Sequence, residues 1–124
     1  MEGKSILIVD DNTQNLKLAR VVLANEGFDV LTASNAEDAL QLLRRVTPRL
    51  ILMDIQLPGM DGLELTRRLK ADPATGAVRI IALTAYAMKG DDEKAFAAGC
   101  DGYITKPIDV ERLAVVVRSY LGGA

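Results

Sequence analysis

The sequence predicts an α/β domain built on an open, doubly wound, five-stranded parallel sheet. Three observations predict it. Apolar runs alternate with amphipathic segments five times across the 124 residues. The runs are apolar throughout, without the inside-outside alternation of a half-wet strand, which means a sheet covered on both faces. Five strand-helix units are too few for a closed eight-fold barrel, so an open sheet remains.

Each element has its own signal. "SILIV" (5–9) reads as a buried strand. Thr13 to Glu26 reads as a helix, with Leu16, Ala19 and Leu23 on one face and Gly27 as its stop. "DVLTA" (29–33) is the second strand, and Ser34 with Glu37 forms a capping box for the next helix. That helix spaces Ala36, Ala39, Leu40 and Leu43 at helical period, and Pro48 ends the connection after it. "LILMD" (50–54) is the third strand, Leu63 to Ala71 a helix, and "RIIALT" (79–84) the fourth strand. A weaker helix runs from about Asp91 to Ala98 and closes at Gly99. "GYIT" (102–105) is a short fifth strand. The last helix starts at the cap candidate Asp109, with Leu113, Val116, Val117, Tyr120 and Leu121 on one face.

Composition narrows the function. The chain is 49% apolar and 26% charged, an ordinary balance for one domain with one core. A net charge of −2 argues against a nucleic-acid surface spread over the domain. No apolar run reaches the length of a membrane span. The opening "MEGKSILIVDDN" meets two acids after a short apolar run, unlike a secretory signal, so a soluble cytoplasmic protein is expected. One cysteine, Cys100, excludes an internal disulfide; it reads as a small buried residue. The absence of histidine excludes Ser-His-Asp and Cys-His catalysis and every histidine-based metal site. Any metal must be held by oxygen.

Ligands of open α/β sheets sit beyond the carboxyl ends of the strands. In this sequence those ends carry Asp10 and Asp11 ("VDDN"), Asp54 ("LILMD"), Thr84 and Lys106 ("TKP"). Three carboxylates crowd together only with a cation to relieve them, and oxygen ligands with open positions suit Mg²⁺. Lys106 can hold an anionic oxygen and Thr84 can donate to another. Metal, cation, hydroxyl and carboxylate nucleophile are the parts of a phosphoryl-transfer site. Asp54, on the central strand, is the preferred nucleophile. Rival motifs fail: there is no GxxxxGK[ST], and the loop after the first strand, "DDNTQN", has no glycine for a dinucleotide site. "DIQLPGMDGLEL" echoes a calcium loop but has Pro58 and Leu65 where oxygen ligands belong.

"VDDN", "LMDIQLPGMDG", "ALTAYA" and "YITKP", in that order and spacing, resemble the receiver domain of a two-component response regulator from about Lys4 to Leu121. The wording also resembles single-domain cell-cycle regulators and the receivers of hybrid kinases. The resemblance implies a flavodoxin-like sheet of order 2-1-3-4-5. It implies that Asp10, Asp11, Asp54 and the backbone carbonyl of Gln56 hold Mg²⁺. Asp54 would accept a phosphoryl group from a phosphohistidine on a histidine kinase or histidine phosphotransfer protein. Lys106 would contact the phosphoryl group, the peptide before Pro107 would be cis, and Thr84 would bond a phosphoryl oxygen while Tyr103 swings inward. The face of the fourth helix, fifth strand and fifth helix would then be read by a downstream protein effector. On this reading residues 1–124 form a single receiver domain with no output domain, a phosphoacceptor switch rather than an enzyme. An aspartate-nucleophile phosphatase would need an acid at position 56, where this chain has Gln56. A bulky Tyr86, two residues after Thr84, is expected to obstruct the attacking water and lengthen the life of the phosphorylated state.

Overall fold

The computed structural model describes residues 5–55, 57, 62–84, 91–105 and 110–121. Five strands, β1 (Ser5–Val9), β2 (Asp29–Ala33), β3 (Leu50–Asp54), β4 (Arg79–Thr84) and β5 (Gly102–Thr105), alternate with five helices. These are α1 (Thr13–Asn25), α2 (Ala36–Leu43), α3 (Gly62–Ala71), α4 (Asp91–Ala98) and α5 (Val110–Tyr120). Every pairing is parallel and the order is β2-β1-β3-β4-β5, as the resemblance implied.

Successive side chains of a strand point to opposite faces, so the all-apolar strands feed two cores at once. Leu7, Val9, Ile51, Met53, Ile80 and Ala82 meet Ala39 of α2, Leu65 and Leu69 of α3, and Ala95 of α4. Ile6, Ile8, Leu50, Leu52, Ile81 and Leu83 meet Leu16 and Leu23 of α1 and Leu113 and Val117 of α5. The predicted face of α1 is buried residue for residue: Leu16, Ala19 and Leu23. On α2 the two alanines are buried and the two leucines lie half-buried against the core. On α5, Ala114 is buried as well, although the predicted stripe omits it.

The helix ends follow local chemistry, with one correction. Asn12 caps α1 by accepting from the Asn15 N–H at 3.0 Å. Gly27 ends α1 at φ 93°, with its N–H on the Ala24 carbonyl and that of Phe28 on the Leu23 carbonyl, a Schellman closure. Gly99, at φ 111°, closes α4 the same way through bonds from Gly99 to Phe96 and from Cys100 to Ala95. The cap of α2, however, is Asn35 rather than Ser34. The Asn35 side chain accepts from the Asp38 N–H at 2.8 Å and donates to the Asp38 carboxylate at 3.3 Å, so Asp38 takes the place expected of Glu37. The extended backbone of Asn35 (φ −157°, ψ 172°) aims its side chain back at the first turn. Asn35→Ala is therefore expected to lower stability by about 1 kcal/mol, and Ser34→Ala by less than about 0.5 kcal/mol, in urea unfolding. Equal losses would return the cap to Ser34.

The smaller boundary differences are single residues: α1 ends at Asn25 with Glu26 as its cap, and α3 begins at Gly62 rather than Leu63. The cap candidate Asp109 lies outside the described residues. Two longer-range contacts brace the frame. Lys70, near the end of α3, donates to the Val78 carbonyl at 2.7 Å and to the Asp101 carboxylate at 3.0 Å. The same Asp101 oxygen accepts from the Ile80 N–H at 2.9 Å, so one carboxylate joins α3, β4 and the turn between α4 and β5. On the other face, Tyr120 of α5 lies directly over Gly102, where any Cβ would strike its ring. Among the described residues no helix is long and apolar enough to cross a membrane.

Candidate functional site

The carboxyl ends of β1 and β3, neighbours in the sheet, deliver the acids. Asp10 follows β1 and is fully buried. Its N–H donates to the Ala33 carbonyl of β2, and its Oδ1 accepts from the Asn12 N–H at 2.9 Å. "VDDN" thus divides its labour: Asp10 turns inward, Asp11 stays exposed, and Asn12 starts α1. Asp54 closes β3 and is 4% exposed. One carboxylate oxygen from each of Asp10, Asp11 and Asp54 lies within 4.8 Å of the others. Thr84 ends β4, one position beyond Leu83, the register partner of Asp54, and is buried. Its own partner is Thr105, the last residue of β5. The structure therefore brings Asp10, Asp11, Asp54 and Thr84 to one rim. Gln56, Tyr86, Lys106 and Pro107 lie outside the described residues.

The floor of this rim is built from residues that the sequence pattern did not single out. Gly62, the first residue of α3, sits against the Asp54 carbonyl, and its N–H donates to the Ile55 carbonyl at 3.3 Å. A Cβ there would also meet the Ile55 Cα at 2.8 Å. Thr66, one turn later, donates to the Gly62 carbonyl at 2.7 Å and is fully buried. The Cys100 thiol in turn approaches the Thr66 hydroxyl at 3.9 Å. Burial pushes the Cys100 thiol above its ordinary value, outweighing the lowering effect of the Thr66 hydroxyl, so it stays a neutral, unreactive thiol near pH 7. The only sequence signal for Gly62 is a glycine where a helix begins, a poor helix former explained by close backbone approach.

Tyr103 stands on β5 beside Ala82 of β4 and is 38% exposed. Its ring meets that of Phe96 from α4 edge to face, with centroids 6.1 Å apart and planes at 83°.

The donor set can be tested against a divalent cation. Two buried carboxylates and one exposed one converge, all of them hard oxygen ligands. Three like charges at this spacing repel, and a doubly charged cation reverses the balance. The exposed side, at Asp11, leaves room for water or a phosphoryl oxygen among the ligands. The residues fit Mg²⁺.

A 2-1-3-4-5 sheet with an acid cluster at its carboxyl rim defines a class of proteins, the receivers of two-component signalling. Residues 6–118 match the response regulator receiver domain, and the chain belongs to that family. It is 47% identical to the polar-differentiation response regulator DivK of Brucella anthropi, over 98% of each chain, and 46% identical to that of Brucella ovis. Among solved structures it resembles a response regulator receiver domain protein of Methanospirillum hungatei, with a TM-score of 0.88 at 32% identity, covering 97% of this chain and 94% of that one. It also resembles the receiver domain of a sensor histidine kinase from Pseudomonas aeruginosa, with a TM-score of 0.87 at 34% identity, covering 97% of this chain and 98% of that one. That structure has a magnesium ion coordinated in its active-site cleft.

Proposed function

We propose that this receiver is a phosphorylation switch in which Asp54 accepts a phosphoryl group from a phosphohistidine of a histidine kinase or phosphotransfer protein. The N–P bond of the donor breaks as an Asp54 carboxylate oxygen forms the new O–P bond, and the freed imidazole takes up a proton from solvent. The observation that carries this reading is the convergence of Asp10, Asp11 and Asp54 within 4.8 Å, with buried Thr84 one residue beyond the register partner of Asp54.

Asp10, Asp11 and Asp54, with the Gln56 carbonyl by resemblance, would hold Mg²⁺. When bound, the ion neutralises the acid cluster and stabilises charge on the transferring phosphoryl oxygens. The chain's own residues do the rest. Burial of Asp10 and Asp54 fixes the approach of the donor from the open side at Asp11. Thr84 donates its hydroxyl to a phosphoryl oxygen, and Lys106, next in sequence after Thr105, pairs with another. Tyr103 changes position with Thr84, and the altered α4-β5-α5 face is read by a downstream protein effector. Likeness to polar-differentiation regulators supports a partner of that signalling kind.

Intact-protein mass after incubation with acetyl phosphate tests the reading. One phosphoryl adduct that requires Mg²⁺ is expected. No adduct under either condition would leave a receiver that binds its partners without phosphorylation. The same experiment, chased after removal of the donor, tests Tyr86. Its bulk is expected to shield the acyl phosphate, so Tyr86→Ala should lose the adduct several-fold faster than the wild type. Equal decay in the two proteins would remove Tyr86 from the account.

A further inference from the structure

We propose that Phe96 is a positioning residue of this switch: its edge-to-face contact holds the Tyr103 ring at the outer surface and ties the ring's position to that of α4. The proposal rests on the phosphorylation reading above and extends it to a residue outside the acid rim.

Three features carry it. First, both rings are substantially exposed, 50% for Phe96 and 38% for Tyr103, yet they meet at 6.1 Å and 83°, the favourable geometry for an aromatic pair. Second, beside the tyrosine and toward the strand ends, the described residues that share its face on β4 and β5 are small. Register partners in a parallel sheet share a face, so Tyr103 and Thr105 stand on the same side as Ala82 and Thr84. Among its described residues, the helix over that side, α4, buries Ala95 and Ala98. Among the described residues, the ring contact that meets Tyr103 on its outer side is Phe96. Third, the described residues of α4 anchor it lightly. Two buried alanines contribute far less apolar area than the pair Leu65 and Leu69 that seats α3. A helix with so small an anchor can shift, and Phe96 moves with it.

The chemistry at the rim and the ring are thereby connected. Thr84 lies on the Tyr103 face, two residues along β4 from Ala82. Displacing α4 withdraws the Phe96 edge and frees the Tyr103 ring. Conversely, a ring that leaves Phe96 loosens α4. An edge-to-face pair of this kind biases a two-position equilibrium by about two- to tenfold.

The test uses the full chain labelled with 3-fluorotyrosine. The chain has 3 tyrosines, and Tyr103→Phe assigns the fluorine resonance of interest. Wild type, Phe96→Ala, Phe96→Leu and Phe96→Tyr are compared with and without acetyl phosphate and Mg²⁺, with intact mass read in parallel. In the unphosphorylated protein, Phe96→Ala and Phe96→Leu are expected to move the Tyr103 resonance toward its phosphorylated position by a two- to tenfold change in population. Phe96→Tyr, which keeps a ring edge and adds a fourth fluorine resonance of its own, is expected to retain the wild-type Tyr103 resonance. An unmoved resonance in Phe96→Ala, or a leucine that serves as well as phenylalanine, overturns the proposal, since bulk rather than the ring contact would then suffice. No adduct on the wild type would overturn the phosphorylation reading and the switch role with it, whereas an adduct with an unmoved resonance overturns the role of Phe96 alone.

Discussion

Asp54→Asn is expected to abolish the phosphoryl adduct completely while the domain stays folded and becomes more stable in Mg²⁺-free buffer. The amide has the shape of the carboxylate it replaces, so the 4% exposed site at the end of β3 loses no packing. It lacks the anionic oxygen that the proposed transfer requires, so on that reading transfer falls to nothing rather than by a factor. The gain in stability follows from charge. Carboxylates of Asp10, Asp11 and Asp54 lie within 4.8 Å of one another. Two unit charges about 5 Å apart repel by about 3 kcal/mol at an effective dielectric near 20, and exposure of Asp11 screens part of this. A gain of about 1–3 kcal/mol in chemical unfolding without the metal is therefore expected, together with weaker Mg²⁺ binding. An adduct that survives the substitution would move the acceptor to another residue. A fall in stability would mean that Asp54 is held by attraction to a cationic group more than it is repelled by its neighbouring acids.

Gly62→Val should produce the largest structural loss of any exchange at the rim. Gly62 begins α3 against the Asp54 carbonyl, and a Cβ would meet the Ile55 Cα at 2.8 Å. Both obstacles are backbone, which cannot rotate away as a side-chain tip would. Either the start of α3 lifts off β3 or the strand end shifts, and in both cases the Thr66-to-Gly62 bond of 2.7 Å is strained. Overpacking of this kind lowers stability by about 3 kcal/mol, at the upper end of the usual range. Because the displaced atoms adjoin Asp54, the proposed acceptor, the rate of labelling by acetyl phosphate should fall as well, even under conditions where the variant is fully folded. Stability and labelling both at wild-type values would show that the rim tolerates a side chain here.

The different legibility of these features has a physical cause. Strand limits could be read to the residue because a strand buried on both faces is apolar through its middle, and the polar residues Ser5, Asp10, Arg49, Asp54, Arg79 and Thr84 mark where those runs begin or end. The face of α1 could be read from Leu16, Ala19 and Leu23 at helical spacing, although Leu18 and Val21 are apolar too and lie exposed. Asp10, Asp11, Asp54 and Thr84 could be placed at one rim because a parallel sheet puts all its strand ends on one side. The order of the strands was not legible from the residues, and came from the resemblance. The α2 cap was ambiguous in principle: "SNAED" offers Ser34 with Glu37 and Asn35 with Asp38 at the same spacing, and only the backbone angles of Asn35 choose. Ala114 escaped because alanine is as common on a wet face as on a buried one. Gly62, Thr66, Phe96 and the Lys70–Asp101 pair are joined by contacts across 4 to 31 residues of sequence, or by close backbone approach, and no local period records those.

The Lys70–Asp101 bridge pins the carboxyl end of α4, so a tilt of the helix would pivot there. Just past the last turn of α4, Asp101 is fastened to Lys70 at 3.0 Å and to the Ile80 amide at 2.9 Å, and the Lys70 stem lies against Gly99. The fulcrum is therefore at the carboxyl end, and any tilt grows toward Asp91. At 1.5 Å per residue, the helix's eight residues give an arm of about 12 Å. A rotation of about 10° about the pinned end carries the far end through about 2 Å and leaves Asp101 where it was. Displacement is thus greatest at the end of α4 that follows the segment leading from Thr84, and smallest where the chain enters β5.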